Sequence, residues 1–371
     1  GSFSDITPIR STTSAGDVTF AASNGSATIT VTDTAHGAVS GDFVTFSGAA
    51  SLGGNITAGV LNQEYNITEV LTDNTYTIAA RTAGTSIQDI TVNGALSPTP
   101  VTANGSDTGN GGSSVVGAYQ IGIGLDTSTF GAGWGIGFWG RGTWGSAAST
   151  PLVTSTLRVW THDNFGEDLL MNVRNGGIYY WDKTGGVAAR AVSLDSLAGA
   201  TSTPTIAKQI LVSDRDRHII AFGCDTEANP GVQDPLAIRF SSQESLTDWA
   251  ATATNTAGEL RLGSGSEIVT AVETRQQILV YTDESIYAMQ FLGPPFTFGV
   301  NLVSENITTM GPLSAVAVED NVFWMGLEEF YVYGGTVQRL PCTVRDFVFD
   351  DINLNQREKI VASTNTAVSE V

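Results

Sequence analysis

Between Glu267 and Asp351 the chain repeats one arrangement of apolar and polar positions twice. An apolar run (Ile268 to Val272; Ala315 to Val318) meets a polar break (Glu273 to Arg275; Glu319 to Asn321). A second run follows (Gln277 to Tyr281; Val322 to Met325), then an acidic turn (Asp283-Glu284; Glu328-Glu329). A third run (Ile286 to Phe291; Phe330 to Tyr333) ends in aromatic residues. Runs of this length, rich in β-branched and aromatic residues and divided by polar turns, predict antiparallel meanders. The runs Ile278-Leu-Val-Tyr281 and Val322-Phe-Trp-Met325 do not alternate, so these strands are expected to bury both faces.

The pattern recurs upstream, as Leu169 to Val173 with Gly177 to Trp181, and as His218 to Gly223 with Pro235 to Phe240. Taking Leu170, Ile220, Leu279 and Phe323 as equivalent gives spacings of 50, 59 and 44 residues. That is the size of a four-stranded propeller blade, in a degenerate repeat. The predicted fold class is therefore all-β: propeller-like antiparallel blades.

Residues 16 to 95 read as a separate small β-domain, a sandwich or barrel. Ala27, Ile29 and Val31, then Val44 and Phe46, alternate with polar residues, and Gly and Asp mark the turns. Two further strands are expected, Glu64 to Val70 and Thr75 to Ala79. The flanks, Thr7 to Ser14 and Thr99 to Ser114, are Ser/Thr/Gly-rich and resemble linkers. Residues 1–15 are accordingly assigned to the main domain, 16–105 to an inserted module, and 106–371 to the propeller-like domain. The best helix candidates are short, such as Ser241 to Trp249 and Val344 to Asp350. The first residue, Gly1, and the strand-like ending Ala367 to Val371 lead us to expect a longer polypeptide.

The 371 residues carry 37 acids against 17 Lys and Arg, a net charge of −20. A nucleic-acid binder would show a basic stripe, and none is legible. Two cysteines, Cys224 and Cys342, are too few for a disulfide framework and are expected to be free thiols. No apolar run is long enough to span a membrane as a helix. His36, His162 and His218 lack metal-ligand spacing. His36 is expected to hydrogen-bond within its turn, His162 to lie in the turn Thr161 to Asn164, and His218 to sit in a solvated or ion-paired hairpin. Asp214 with Asp216, and Asp350 with Asp351, read as surface turns too short for a calcium loop. With no nucleophile elbow, phosphate loop or zinc motif, we expect no enzyme, no cofactor and no metal.

Residues 115 to 148 hold Trp134, Phe138, Trp139 and Trp144 among glycines, with the single charge Arg141 in that cluster. They read as subunit-interface aromatics or, alternatively, as stacking platforms for sugar.

From Trp160 onward, WTHDNFGEDLLMNVRNGGIYYWD, VSDRDRHIIAFGC, DPLAIRFSSQESLTDW and MGPLSAVAVEDNVFWMGLEEFYVYGG resemble the nozzle proteins of short-tailed bacteriophages, the tail tubular protein B or packaged-DNA stabilisation type. The resemblance covers about residues 156 to 371 and rests on no catalytic motif. The module, with HGAVSGDFVTFSG and LNQEYNITEVLTDNTYTI, is similar to small β-modules of phage virion proteins. The resemblance implies a virion protein of the tail, in a homo-oligomeric, hexameric ring that forms the distal nozzle of the DNA-ejection conduit and retains packaged DNA. It implies a tail adaptor and tail fibre or spike proteins as partners, and DNA that passes without tight binding. The turns at Asp283, Glu284, Glu328 and Glu329 are candidate channel or gate loops. The competing readings are a carbohydrate-binding propeller and a surface adhesin.

Overall fold

The structure, a computed structural model, describes residues 4–82, 99–124, 157–293 and 296–365. The chain divides into two compact units, Gly1–Leu125 and Asp126–Val371. Both are built almost wholly of antiparallel strands.

The first unit contains β1 (Ile9–Thr12), β2 (Thr19–Ala22), β3 (Thr28–Thr32), β4 (Phe43–Ser47), β5 (Glu64–Asn66), β6 (Glu69–Thr72), β7 (Thr75–Ala79) and β8 (Val116–Gln120), with one helical turn, α1 (Ala58–Leu61). They form two four-stranded sheets, β1-β8-β4-β5 and β2-β3-β7-β6. A single core joins them, with Phe20, Ile29, Val31, Val44, Phe46, Tyr65, Tyr76 and Tyr119 buried. The alternation at Ile29/Val31 and Val44/Phe46 is the inward face of this sandwich. The expected strand Glu64 to Val70 breaks into β5 and β6, which belong to different sheets. The chain turns a corner there, and Ile67 plugs the core.

Both expected linkers are structural. β1 pairs with β8, and β8 pairs with β4, so the segments assigned to the main domain, 1–15 and 106 onward to Gln120, complete a sheet of the small unit. Val115 and Ala103 are buried in its core. The Asp107 carboxylate accepts hydrogen bonds from the backbone N–H groups of Gly54, Asn55, Ile56 and Asn104. Burial acts to raise its pKa, but these four donors outweigh it and hold the acid below its ordinary value. Gly48, at φ +73°, lies where a Cβ would stand 2.1 Å from the Ser114 carbonyl oxygen, so only glycine fits this approach. Composition resembling a linker concealed a packed loop.

Among the described residues, the second unit contains four four-stranded sheets. The first is β9 (Trp160–Phe165), β10 (Asp168–Val173), β11 (Ile178–Trp181) and β12 (Val192–Ser193). The second is β13 (Gln209–Val212), β14 (Ile219–Phe222), β17 (Ala237–Phe240) and β18 (Gly258–Arg261); a small hairpin, β15 (Asp225–Thr226) and β16 (Asn229–Gln233), is inserted after β14. The third is β19 (Ile268–Glu273), β20 (Ile278–Thr282), β21 (Ser285–Gly293) and β22 (Thr297–Glu305). The fourth is β23 (Ala315–Val318), β24 (Asn321–Met325), β25 (Phe330–Tyr333) and β26 (Val337–Leu340), followed by α2 (Arg345–Asp350). Leu170, Ile220, Leu279 and Phe323 each fall on the second strand of their sheet, so the repeat equivalence holds strand for strand.

Three cores separate the four sheets. Leu170 and Ile178 of the first meet Ile210, Val212, Ile219 and Ala221 of the second. Ile220, Phe222 and Phe240 of the second meet Ile278, Val280 and Met289 of the third. Leu279, Tyr281 and Ile286 of the third meet Val322, Trp324 and Tyr333 of the fourth. Neighbouring residues of β20, Val280 and Leu279, thus enter different cores. A strand between two sheets has no solvent face, and its sequence cannot alternate.

Three local expectations change. His162 lies within β9, in a strand. Ser241 to Trp249 is irregular: the Ser241 hydroxyl accepts from Ile219 N–H, and Ser245 from Asp248 N–H, competing with helical pairing. His218 is fully buried, its ring 5.2 Å from Phe298 and 5.8 Å from Phe291. Cys224, also buried, is free, and burial pushes its thiol up to about 12; Cys342 is free as well.

Candidate functional site

The first strand of each sheet is an edge, and an edge strand leaves backbone N–H and C=O groups without a ladder partner. In the second unit side chains of adjacent sheets satisfy several of them. From β9, Thr161 Oγ1 accepts from Ile210 N–H at 3.3 Å and Asp163 Oδ2 from Val212 N–H at 2.8 Å. From β13, Gln209 Oε1 accepts from Ala271 N–H at 2.8 Å while its Nε2 donates to the Ala271 carbonyl at 2.7 Å. This amide stands in for the strand that β19 lacks. Arg174 donates to the Val269 carbonyl at 2.9 Å. These ties fix β9, β13 and β19 as a connected surface.

Three carboxylates converge there from different sheets. Glu273 Oε1, at the end of β19, accepts from Asp214 N–H at 3.2 Å. Burial raises the Glu273 pKa to about 7, with the Asp214 and Asp163 charges adding to it. Asp163 is also raised, first by burial and then by Asp214, although two backbone donors partly oppose this. The cluster can therefore hold a proton near neutrality. Beside it, a cavity of about 310 Å³ is bounded by Gln209, Ala271, Glu273, Leu313, Ala317 and Val361. Its wall is mostly aliphatic with one acid. Among the described residues no group of three His, Cys, Asp or Glu side chains could hold a metal ion.

Of the acids singled out by sequence, Asp283 is structural in its contacts. It accepts from Ser266 N–H at 2.7 Å, from Glu267 N–H at 3.3 Å, and from the Ser266 hydroxyl. Burial raises its pKa, but these donors prevail and lower it. Glu284 is exposed in the same turn. Glu329 lies 3.4 Å from Arg345 and 3.6 Å from Arg339, and Glu328 is exposed beside it, its carbonyl accepting from Arg345. The aromatic candidates Trp134, Phe138, Trp139 and Trp144 lie outside the described residues. Asp214 groups with Asp163 and Glu273 in place of Asp216. Nothing in a one-dimensional pattern brings residues 163, 214 and 273 together; the only signal was their equivalent placing near the first strand of successive repeats.

No family model matches the chain, and no curated protein matches it. Solved structures with some likeness include the phage phi92 endosialidase, 14% identical at a TM-score of 0.24, covering 85% of this chain. The chain spans 46% of that enzyme's length. A Bacteroides thetaiotaomicron protein of unknown function is 10% identical at a TM-score of 0.30, over 91% of this chain and 73% of its own. PorZ, a bacterial surface component of the type-IX secretion system of Porphyromonas gingivalis, is 11% identical at 0.24, over 50% and 28%. Likeness at this level identifies no common active site. No helix among the described residues is long and apolar enough to cross a membrane.

Proposed function

We propose that this chain is a structural protein of a short-tailed bacteriophage tail, a wall segment of the nozzle through which DNA leaves and behind which it is retained. One observation carries the reading: acids outnumber Lys and Arg by 37 to 17, and several of the described cations are committed to the chain's own groups. Lys208 pairs with Glu267, Arg261 with Asp234, Arg345 with Glu329, and Arg217 with Glu244. Arg10, Arg174 and Arg239 donate to backbone carbonyls. The chain as a whole carries a net charge of −20. A conduit for a polyanion needs this, since Lys or Arg contacts to phosphate would add affinity and hence friction. At physiological salt the repulsion reaches about 8 Å, so it acts near the wall.

In this reading the chain works as a homo-oligomeric ring beside tail adaptor and fibre or spike proteins, with the exposed Glu284 and Glu328 turns facing the bore. The test is filter binding of duplex DNA to purified protein at 0.15 M salt. No retention is expected at micromolar protein. Salt-sensitive retention at sub-micromolar protein would overturn the conduit reading.

A further inference from the structure

β21 and β22 are nine residues each, the longest strands among the described residues. β20 pairs with β21 only as far as Met289, so from Gln290 onward the hairpin is a two-stranded ribbon. Its base is fixed. Phe291 lies opposite Phe298, with ring centroids 5.5 Å apart. Both rings pack against His218, and Phe298 also packs against Phe240 at 5.0 Å. Past these contacts the apolar residues face solvent: Leu292 is 59% exposed and Phe296 73%. Leu292 is the extra residue where the ladder shifts register between Phe291 and Gly293. Gly299 makes room for it, since a Cβ there would stand 2.6 Å from Leu292 Cδ1.

Two properties suit this tip to an apolar medium. It has few free donors. Phe296 N–H donates to the Gly293 carbonyl at 3.1 Å, Gly293 and Thr297 are paired across the ladder, and Pro294 and Pro295, by residue type, have no N–H to satisfy. Unsatisfied backbone groups are what make entry into lipid costly. A protein groove would offer the tip hydrogen bonds, and the tip has few donors left to use. It is also uncharged. Ser285 to Ser304 contain no Asp, Glu, Lys, Arg or His, so the ribbon has no charge to carry into hydrocarbon. Phe347 is more exposed, at 82%, but Arg345 and Asp346 precede it directly, and Asp350 and Asp351 follow.

We propose that the tip of the β21–β22 hairpin inserts the side chains of Leu292 and Phe296 into the headgroup–acyl boundary of an uncharged lipid bilayer, as a shallow anchor that spans nothing. The lipid class follows from charge. The chain carries −20, so an anionic surface repels it within about 8 Å at physiological salt. A zwitterionic surface does not, and burial of the two side chains supplies the attraction. The anchor requires no passage of DNA, so retention of DNA by the protein would refute the conduit and leave the anchor standing.

The experiment is flotation of the full chain with phosphatidylcholine vesicles at millimolar lipid and about 0.15 M salt. Wild type is expected to float with the vesicles. The double variant Leu292→Asn/Phe296→Asn should lose at least about ten-fold of the floated fraction while melting like wild type, since neither side chain is buried. Phe296→Trp should float at least as well as wild type, because Trp favours the interface. Phe347→Asn should float as wild type does. A wild type that stays in the lipid-free fraction, or that floats only when phosphatidylserine is added, would overturn the proposal. So would a double variant that floats like wild type, or a Phe347→Asn variant that loses as much as the double. If the double variant fails to fold, Phe296→Ser alone decides: a loss of at least about three-fold is expected, and no loss sinks the anchor.

Discussion

The two units solve the same problem, burying apolar strand faces, in different ways. The first unit closes two sheets on one core and seals it with polar locks: Tyr119 donates to Asp33 at 2.5 Å, Tyr76 and Tyr119 share a hydroxyl contact at 2.8 Å, and Asp107 gathers four N–H groups. Among the described residues the second unit repeats a sheet four times and builds a core at each junction. A sandwich is complete when its two sheets meet. A stack gains a core with each sheet added to it.

The largest expected effect tests the stack. Trp324 is 2% exposed and packs on Tyr281 at 5.3 Å, edge to face, and on Tyr331. Trp324→Ala should cost about 3–5 kcal/mol through a cavity between the third and fourth sheets. Chemical denaturation should show this in the second unit only; a loss below about 1 kcal/mol would mean that the residue is not at a packed junction. The sandwich has its own critical residue. Asp107→Ala should cost the first unit about 2–4 kcal/mol, because it strands several N–H donors that its carboxylate now satisfies. A fragment of residues 1–125 should fold alone and show the same loss. If that fragment is unfolded, the boundary after Leu125 is not a folding boundary.

Two titrations separate the interior of the stack from its first-strand surface. Burial lowers the His218 pKa from 6.5 to about 4, and neither ring nitrogen reaches a protein partner. Its contribution is therefore present above pH 6.5 and lost as pH falls through 4, about 3 kcal/mol in total. His218→Leu should abolish that acid-side loss in pH-dependent melting. Glu273 has the opposite sign. Its pKa is raised to about 7, so the stability linked to its proton is present below the ordinary carboxylate range and fades as pH rises through 7. Glu273→Gln should stabilise the second unit by about 1–2 kcal/mol at pH 8 and little at pH 4. A variant that melts like wild type at both pH values would show that Glu273 is ordinarily ionised.

The strand class and the repeat were legible along the chain because both are local. Period-2 alternation marks Ile29 and Val31 as facing one core, and unbroken apolar runs such as Ile278 to Tyr281 mark strands between two sheets. Polar turns set the spacing that makes Leu170, Ile220, Leu279 and Phe323 equivalent. The remaining features depend on contacts between distant segments. Residues 99 to 115 have the composition of a linker, yet Asp107 and Val115 are held by partners about fifty residues or more away, at Ile56 and in the sandwich core. Asp163, Asp214 and Glu273 meet only because successive sheets stack. Hydrophobic periodicity reports which face of a strand avoids water, and it cannot report which distant segment covers that face.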